Sequence, residues 1–213
     1  LIDPSTSVIK DPATGNIATV QDAITSEAID PVAGRMLETT SGKAIDLLRA
    51  KERGYIIPAE ARQAMEEKYR LCDDTLSQLL AWVAEVEDRL ASQDVAQEDI
   101  DQLRNQINLL KLVKEELESQ QRTVANCLDQ VRVVVTTGGE YLSRDEVLSL
   151  EKNGKALRLR YDRANDRTDK LMRRLTAAKD ELNKFKSELT TFTAWLDKAR
   201  HALEDRERSL SQL

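Results

Sequence analysis

Mostly apolar residues recur every three or four positions over the last third of the chain. The series consists of Leu150, Leu157, Tyr161, Ala164, Thr168, Leu171, Leu175, Ala178, Leu182, Phe185, Leu189, Phe192, Leu196, Ala199, Leu203, Leu210 and Leu213, with Gly154 and Arg206 as weaker members. This spacing places the side chains on one helical face, and no proline interrupts it. The pattern therefore predicts a single helix about nine heptads long, which is more than one bundle requires.

The same spacing occurs in two further stretches before the long series. The first consists of Met65, Tyr69, Cys72, Leu76, Leu79, Val83, Val86 and Leu90. The second consists of Ile100, Leu103, Ile107, Leu110, Leu117, Val124, Leu128, Val131 and Val135, with Lys114 and Gln121 as polar interruptions. We expect helices at about 59–92, 94–137 and 144–178, whose short connections make neighbours antiparallel. They predict a mainly α chain built on a left-handed three-helix bundle.

Both connections between these helices carry signals for a helix start. Asp94 with Gln97, and Ser143 with Glu146, have the spacing of a capping box. In this motif each side chain accepts a hydrogen bond from the backbone N–H of the other residue. We therefore expect the second helix to begin at Asp94 and the third to begin at Ser143.

The chain up to residue 58 differs from the rest, because it holds all four prolines and four of the seven glycines. It contains an internal repeat, in which Gly15, Ile17, Val20, Ala23, Ile29 and Pro31 correspond at a constant offset to Gly42, Ala44, Leu47, Ala50, Ile56 and Pro58. Each unit predicts a hairpin around its glycine. A short helix is expected to follow, at about 19–27 in the first unit and 44–53 in the second.

Further signals mark the end of each small unit. Asp30 is expected to cap a helix that Pro31 opens. Gly54 fits the position that follows a helix end. Pro58 is expected to open the first helix of the bundle. Two units of this size bury little surface alone, so we expect them to rest on neighbouring structure.

A second internal repeat, again at a constant offset, relates the first bundle helix to the end of the chain. It aligns Trp82 with Trp195, Leu76 with Leu189, Leu79 with Phe192, Val83 with Leu196, Val86 with Ala199 and Leu90 with Leu203. Because the long series is unbroken, the third helix of the bundle at 59–178 is expected to continue at 179–213 as the first helix of a second bundle. The expected core includes Trp82, Trp195, Tyr161, Leu90 and Leu203.

This arrangement resembles the spectrin repeat, whose family places a tryptophan in the first helix and an aromatic residue in the third. Trp82 and Tyr161 take those places here. The resemblance covers about 66–213, which is one full repeat and the first helix of a second.

Residues 1–58 resemble degenerate plakin repeats. The resemblance lies in Asp11-Pro12-Ala13-Thr14-Gly15 and Ala28-Ile29-Asp30-Pro31, whereas the second unit has Ser41-Gly42 and Ile57-Pro58 at the matching places. Plakin-type repeats followed directly by spectrin repeats are similar to the spectraplakins, the dystonin and microtubule-actin cross-linking factor family. This resemblance implies a giant linker whose filament-binding ends lie outside this chain.

Composition narrows the function classes. Charged residues make up 33% of the chain, aromatic residues 4%, and the net charge is −6. An acidic balance argues against generic binding to nucleic acids or anionic membranes. No apolar run is long enough for membrane insertion. The first residues lack the pattern of a signal peptide and an initial Met, so we expect a fragment of a larger chain.

The two cysteines indicate whether the protein works in a reducing or an oxidising compartment. Antiparallel pairing of the first two bundle helices is expected to leave Cys72 and Cys127 about 15 Å apart along the axis. A disulfide needs Cα atoms within about 7 Å. Both are therefore interpreted as reduced core residues of a cytoplasmic protein.

The sequence offers little for catalysis or cofactor binding. His201 is the only histidine, and no cysteine or second histidine is near it to complete a metal or acid–base site. The acidic pairs Asp73-Asp74 and Glu115-Glu116 fall on polar helix faces. No glycine-rich phosphate loop occurs. We expect no enzyme activity, no metal and no cofactor.

A basic strip lies on the third helix between Lys155 and Lys179. It includes Arg160, Arg163, Arg167, Lys170 and Arg174. Such a strip is a candidate docking surface for an acidic or filament partner. The alternative is internal, because acidic residues on the neighbouring helices can pair with these side chains across the bundle. Internal pairing is the favoured interpretation.

The resemblance implies a structural rod segment that spaces and mechanically couples filament-binding domains. Its partners would be neighbouring spectrin repeats, the plakin domain of the same chain, and actin, microtubules or intermediate filaments bound by other parts of the parent. The location would be the cytoplasmic cytoskeleton, at cell junctions or the cortex. The alternative function is protein docking through residues 1–58 or 155–179. A dimeric membrane-bending bundle is a third reading, but the basic concave face and spare apolar stripe that it needs are not evident.

Overall fold

The structure, a computed structural model, describes residues 2–213. The chain folds as two compact units. The first comprises Leu1–Glu85 and Gln120–Asp162, and the second comprises Val86–Ser119 and Arg163–Leu213. Within the described residues, no helix has both the length and the apolar character needed to cross a bilayer.

The N-terminal part of the first unit contains six short strands and two short helices. In chain order they are β1 (Ser7–Lys10), β2 (Ile17–Thr19), α1 (Val20–Thr25), β3 (Ile29–Asp30), β4 (Arg35–Glu38), β5 (Lys43–Asp46), α2 (Leu47–Glu52) and β6 (Ile56–Pro58). We call this part, residues 2–58, the N-terminal module. The hairpins expected at Gly15 and Gly42 are confirmed, because β1 pairs with β2 and β4 with β5, antiparallel in both cases.

The two small units of this module exchange their third strands. β3 of the first unit pairs with β4 of the second, placing Ile29 opposite Met36. β6 of the second unit returns to β1 of the first, placing Ile9 opposite Ile56. The exchange closes one shared core, formed by Ile9, Val20, Ala23, Ile29, Met36, Ala50 and Ile56. Neither unit is therefore complete without the other.

The internal repeat of this module extends to the backbone at the end of each short helix. Gly54 follows α2 with a φ of +80°, as the sequence predicts. The corresponding residue after α1 is Glu27, which adopts a φ of +64° without being glycine. The chain thus reverses in the same way in both units, and only the second uses the residue for which this conformation is easiest.

The helix expected at Pro31 is absent, and that prediction is wrong. Asp30 Oδ1 instead accepts the backbone N–H groups of Val32 at 3.0 Å and Ala33 at 3.1 Å. These bonds form an Asx-type turn that brings β4 back against β3. Val32 is 96% exposed, so no apolar face was present here to support a helix.

Long helices form the rest of the chain. They are α3 (Ala59–Ser92), α4 (Ile100–Ser119), α5 (Gln121–Gly138) and α6 (Arg144–Ser211), with a single 3-10 turn at Gly139–Tyr141. The 68 residues of α6 form one uninterrupted helix, as the long apolar series predicts. The expected mainly α fold with a long last helix and small strand hairpins before it is confirmed.

The second helix differs from its prediction at its start and its middle. Asp94 and Gln97 form no capping box, and the helix begins at Ile100, where Asp99 Oδ2 accepts the N–H of Gln102 at 3.2 Å. Buried Gln106 holds the preceding loop, because its amide bonds the backbone there. The expected single helix is also divided into α4 and α5 at Gln120.

The capping box predicted at the start of α6 is confirmed. Glu146 Oε1 accepts the backbone N–H of Ser143 at 2.7 Å, and Ser143 Oγ accepts the N–H of Glu146 at 3.2 Å. Leu142 is fully buried just before it.

Each unit has its own three-helix core. In the first unit α3, α5 and α6 bury Leu76, Val83, Val124, Val131, Leu150 and Leu157. In the second unit the end of α3, α4 and the following part of α6 bury Val86, Leu90, Leu103, Leu110, Leu117, Leu171 and Leu175. Gly138 shows how closely the helices of the first unit approach, since a Cβ there would lie 2.1 Å from Met65 Sδ.

Replacing a buried residue of the apolar series on α6 tests this core. Leu157 is 0% exposed, whereas Leu159, which follows on the same helix, is 50% exposed. We expect Leu157→Ala to lower the free energy of unfolding by about 2–5 kcal/mol, because it removes buried methyl groups and leaves a cavity. The matched Leu159→Ala is expected to cost far less. Urea unfolding followed by circular dichroism measures both. Equal losses of unfolding free energy would contradict the assignment of Leu157 to the core.

Candidate interaction surfaces

Three of the expected core residues lie where the three helices meet. In the first unit the rings of Trp82 on α3 and Tyr161 on α6 lie 6.1 Å apart, inclined by 37°. Tyr161 is buried and Trp82 is half-buried. In the second unit Leu90 is fully buried. The aromatic pair therefore fixes α3 against α6 by packing, and neither ring is placed as an open stacking platform.

The other two expected core residues, Trp195 and Leu203, lie on the surface, and their assignment to the core of a second bundle stays a prediction. Trp195 is 61% exposed and Leu203 is 63% exposed, although both lie on a regular helix. Trp195 stacks on its helical neighbour Phe192, with ring centroids 6.0 Å apart. The reason is physical: an apolar helical face becomes a core only when other helices cover it.

Some residues of the basic strip on α6 pair with an acidic residue of the same chain. Arg167 and Arg174 in the second unit both approach Asp94 Oδ1, at 3.4 Å and 3.6 Å. Arg174 also donates to the backbone carbonyl of Asp94. Asp94, which was expected to cap a helix, instead lies in the α3–α4 loop and binds two arginines of the strip.

The remaining strip residues are placed differently. Arg160 is half-buried in the first unit, and Arg163 and Lys170 are exposed in the second. Arg163 and Lys170 border a shallow cleft of about 390 Å³ together with Glu87. Next to the strip, Asp169 pairs with Lys114 of α4 at 3.1 Å. The ion pairs of Asp94 and Lys114 with α6 favour pairing between helices of the same chain over a strip that is free to dock a partner.

A partly buried ion pair joins the starts of α3 and α6. Arg62 donates to Glu146 Oε1 at 2.7 Å and to the carbonyl of Tyr141 at 3.0 Å. Burial acts to raise the pKa of Glu146, but hydrogen bonds from Arg62 and Ser143 outweigh it and lower that pKa from its ordinary value of 4.5. Glu146 therefore serves two partners: the cap of α6 and the guanidinium of α3.

The sequence indicates only half of this arrangement. The spacing of Ser143 and Glu146 identifies the cap, but nothing local marks Arg62, which lies 84 positions earlier. Gln106 is likewise unremarkable in the sequence, although it holds the α3–α4 loop.

Both cysteines are free and buried in the first unit, so the expectation of reduced core residues agrees with the structure. Burial raises the pKa of the Cys72 thiol to about 11, and the neighbouring Cys127 adds to the effect. Both thiols are thus protonated core groups at neutral pH.

The histidine and the acidic pairs singled out in the sequence lie on helices in the structure. His201 is exposed and faces Glu204 of the same helix at 3.7 Å. Of the acidic pairs, Glu116 binds Arg89 at 2.8 Å, and Asp74 and Glu115 are exposed. Among residues 2–213, no group of three or more His, Cys, Asp or Glu side chains could hold a metal ion.

The ion pair at Glu146 predicts how stability responds to acid. Since the pKa of Glu146 is lowered in the folded chain, its contribution is fully present above about pH 4.5 and is lost as the pH falls through the folded-state value. We expect Glu146→Gln to lower the free energy of unfolding at pH 7, and this difference from wild type to shrink below pH 4.5. Asp145→Asn, an exposed acid in the same turn, is the control. Urea unfolding across this pH range measures both, and a difference independent of pH would refute the assignment.

Comparison with known proteins finds one family whose model matches part of the helical region. The family model of the spectrin repeat matches residues 67–171. The match begins within α3, includes α4 and α5, and ends within α6. Spectrin repeats are structural modules that typically contact neighbouring repeats and cytoskeletal proteins. Residues 67–171, just under half of the chain, therefore resemble a spectrin repeat, and this match supports a structural rod or scaffold role in general.

Proposed function

We propose that this chain is a rod segment of a giant cytoskeletal linker similar to the spectraplakins. In this role it spaces and mechanically couples filament-binding domains carried by other parts of the parent protein. The filaments would be actin, microtubules or intermediate filaments. The working location would be the cytoplasmic cytoskeleton, at cell junctions or the cortex.

The proposed organisation has three parts. Residues 1–58 are two degenerate plakin-type units, residues 59–178 are one spectrin repeat, and residues 179–213 are the first helix of the next repeat. The repeated order of hairpin and short helix in the N-terminal module supports the first assignment. The course of α6, which continues past Leu171 to Ser211, supports the other two.

The observation that carries the proposal is the apolar face at the end of α6. Phe185, Leu189, Phe192, Trp195, Leu196, Leu203 and Leu210 are all exposed, at helical spacing. Exposed apolar surface costs about 25 cal/mol per Å², so a face of this size favours coverage by further helices. Trp195 takes the position of Trp82 in the second internal repeat, and the helices that would cover it are those of a following spectrin repeat.

A shared helix gives this function a mechanism. When the third helix of one repeat is also the first helix of the next, no loop separates them. Tension then passes along a continuous ladder of backbone hydrogen bonds, and the angle between repeats is limited by the bending of one helix. The residues between the buried part of the apolar series on α6 and its exposed part, about 176–190, form this connection.

A proline in the connecting segment tests the mechanism. We expect Lys184→Pro to cost about 3 kcal/mol or more locally, because proline removes one helical hydrogen bond and its ring clashes with the preceding turn. The segment after residue 184 should then move independently of the repeat before it. Small-angle scattering should show a broader distribution of dimensions for this variant.

The matched control is Lys184→Ala, which removes the same side chain and preserves the helix. Its scattering profile is expected to equal that of wild type. Identical profiles for all three proteins would show that the helix does not set the spacing, and would remove support for the rod mechanism.

A further inference from the structure

The turn between α5 and α6 leaves two helix ends whose backbone groups need partners. α5 ends at Gly138 and α6 begins at Arg144. The last carbonyls of one helix and the first N–H groups of the next have no partner within their own helix. In the first unit, groups of the N-terminal module reach the 3-10 turn that follows α5 and the start of α6.

In the 3-10 turn Gly139–Tyr141, directly after α5, the partner is a lysine from β1. Lys10 Nζ donates to the carbonyl of Gly139 at 3.1 Å and to the carbonyl of Glu140 at 3.4 Å. A cation at a helix C-terminus is also favoured by the helix dipole. Burial lowers the pKa of Lys10, Glu140 acts to raise it, and the nearby guanidinium groups of Arg144 and Arg62 lower it further, so the ammonium group sits in a partly desolvated site.

At the start of α6 the partners are carbonyls of the first hairpin, the loop between β1 and β2. The backbone N–H of Arg144 donates to the carbonyl of Gly15 at 3.2 Å. The Arg144 guanidinium donates to the carbonyl of Ala13 at 2.9 Å. One residue of α6 is thus held by two carbonyls of the same hairpin.

The fit at this contact is close. A Cβ added to Gly15 would lie 2.7 Å from Arg144 Cβ, whereas carbon atoms in favourable contact lie about 3.5–4.0 Å apart. Near the contact, the N–H of Ala59, the first residue of α3, donates to the carbonyl of Thr6 at 2.8 Å. The module is therefore joined to the starts of both α3 and α6.

We propose that the N-terminal module is the end cap of the spectrin repeat. By completing the hydrogen bonding of the α5–α6 turn, it makes the module and this end of the repeat open and close as one cooperative structure. A force applied to the module then enters the repeat through α6 as well as through the covalent link to α3. The module acts as a stiff joint and not as a domain on a flexible tether.

The internal repeat of the module provides a matched comparison. Gly42 occupies the tip of the second hairpin, where it corresponds to Gly15, with nearly the same φ: +70° against +71°. No described atom lies within 4 Å of a Cβ at Gly42. An alanine at either glycine suffers the same backbone strain, but only the one at residue 15 meets α6.

The test compares Gly15→Ala with Gly42→Ala in the full chain by hydrogen–deuterium exchange of residues 139–147. We expect Gly15→Ala to accelerate exchange in this segment at least about tenfold relative to Gly42→Ala, because the cap of the turn is lost. Equal exchange of the segment in the two variants would overturn the proposal. So would a variant in which the module exchanges freely while residues 139–147 stay as protected as in wild type.

A second variant does not depend on backbone strain. Lys10→Met removes the ammonium group and keeps an unbranched apolar side chain, with Lys51→Met, an exposed lysine of α2, as its control. We expect Lys10→Met to increase exchange across residues 139–147 and to lower the urea midpoint reported by Trp82 in a Trp195→Phe background. Behaviour identical to that of Lys51→Met would count against the cap.

Discussion

The burial of one face of α6 is the constraint on which the rest of the structure depends. Leu150 and Leu157 in the first unit, and Leu171 and Leu175 in the second, are almost fully removed from water. Every other long helix packs its own apolar face in one or both of these cores. Where α6 continues beyond these partners, its apolar residues, such as Trp195, become exposed. The helix is regular throughout its length. A core forms only where other helices pack against its apolar face.

Polar groups then fix the loops that connect the packed helices. Gln106 satisfies the loop before α4, Asp94 binds arginines of α6, and Glu146 serves both a helix cap and Arg62. Gln106 and Glu146 lie largely out of water, where an unpaired polar atom would be costly, whereas Asp94 is exposed. Among the described residues, no buried side-chain nitrogen or oxygen lacks a hydrogen-bond partner.

The N-terminal module also forms a core only where separate elements cover one another. Its two units bury little surface alone, and the exchange of β3 and β6 gives them a common core. Contact with the α5–α6 turn then supplies hydrogen bonds through Lys10 and Gly15. A short strand-rich segment is in this way made part of a helical structure, through helix ends that would otherwise be open to water.

Features that depend on local spacing could be predicted from the sequence. The continuity of α6, the cap at Ser143 and Glu146, the two hairpins and the turn at Gly54 all follow from residues within a few positions of one another. The sequence-based prediction misplaced the helix at Pro31 and the start of α4, where a turn and a loop are held by side-chain hydrogen bonds to the backbone. The strand exchange, the pairing of Arg62 with Glu146 and the docking of Gly15 on α6 could not be predicted from the sequence. These contacts join residues far apart in the chain, and their partners are set by how whole helices and strands pack.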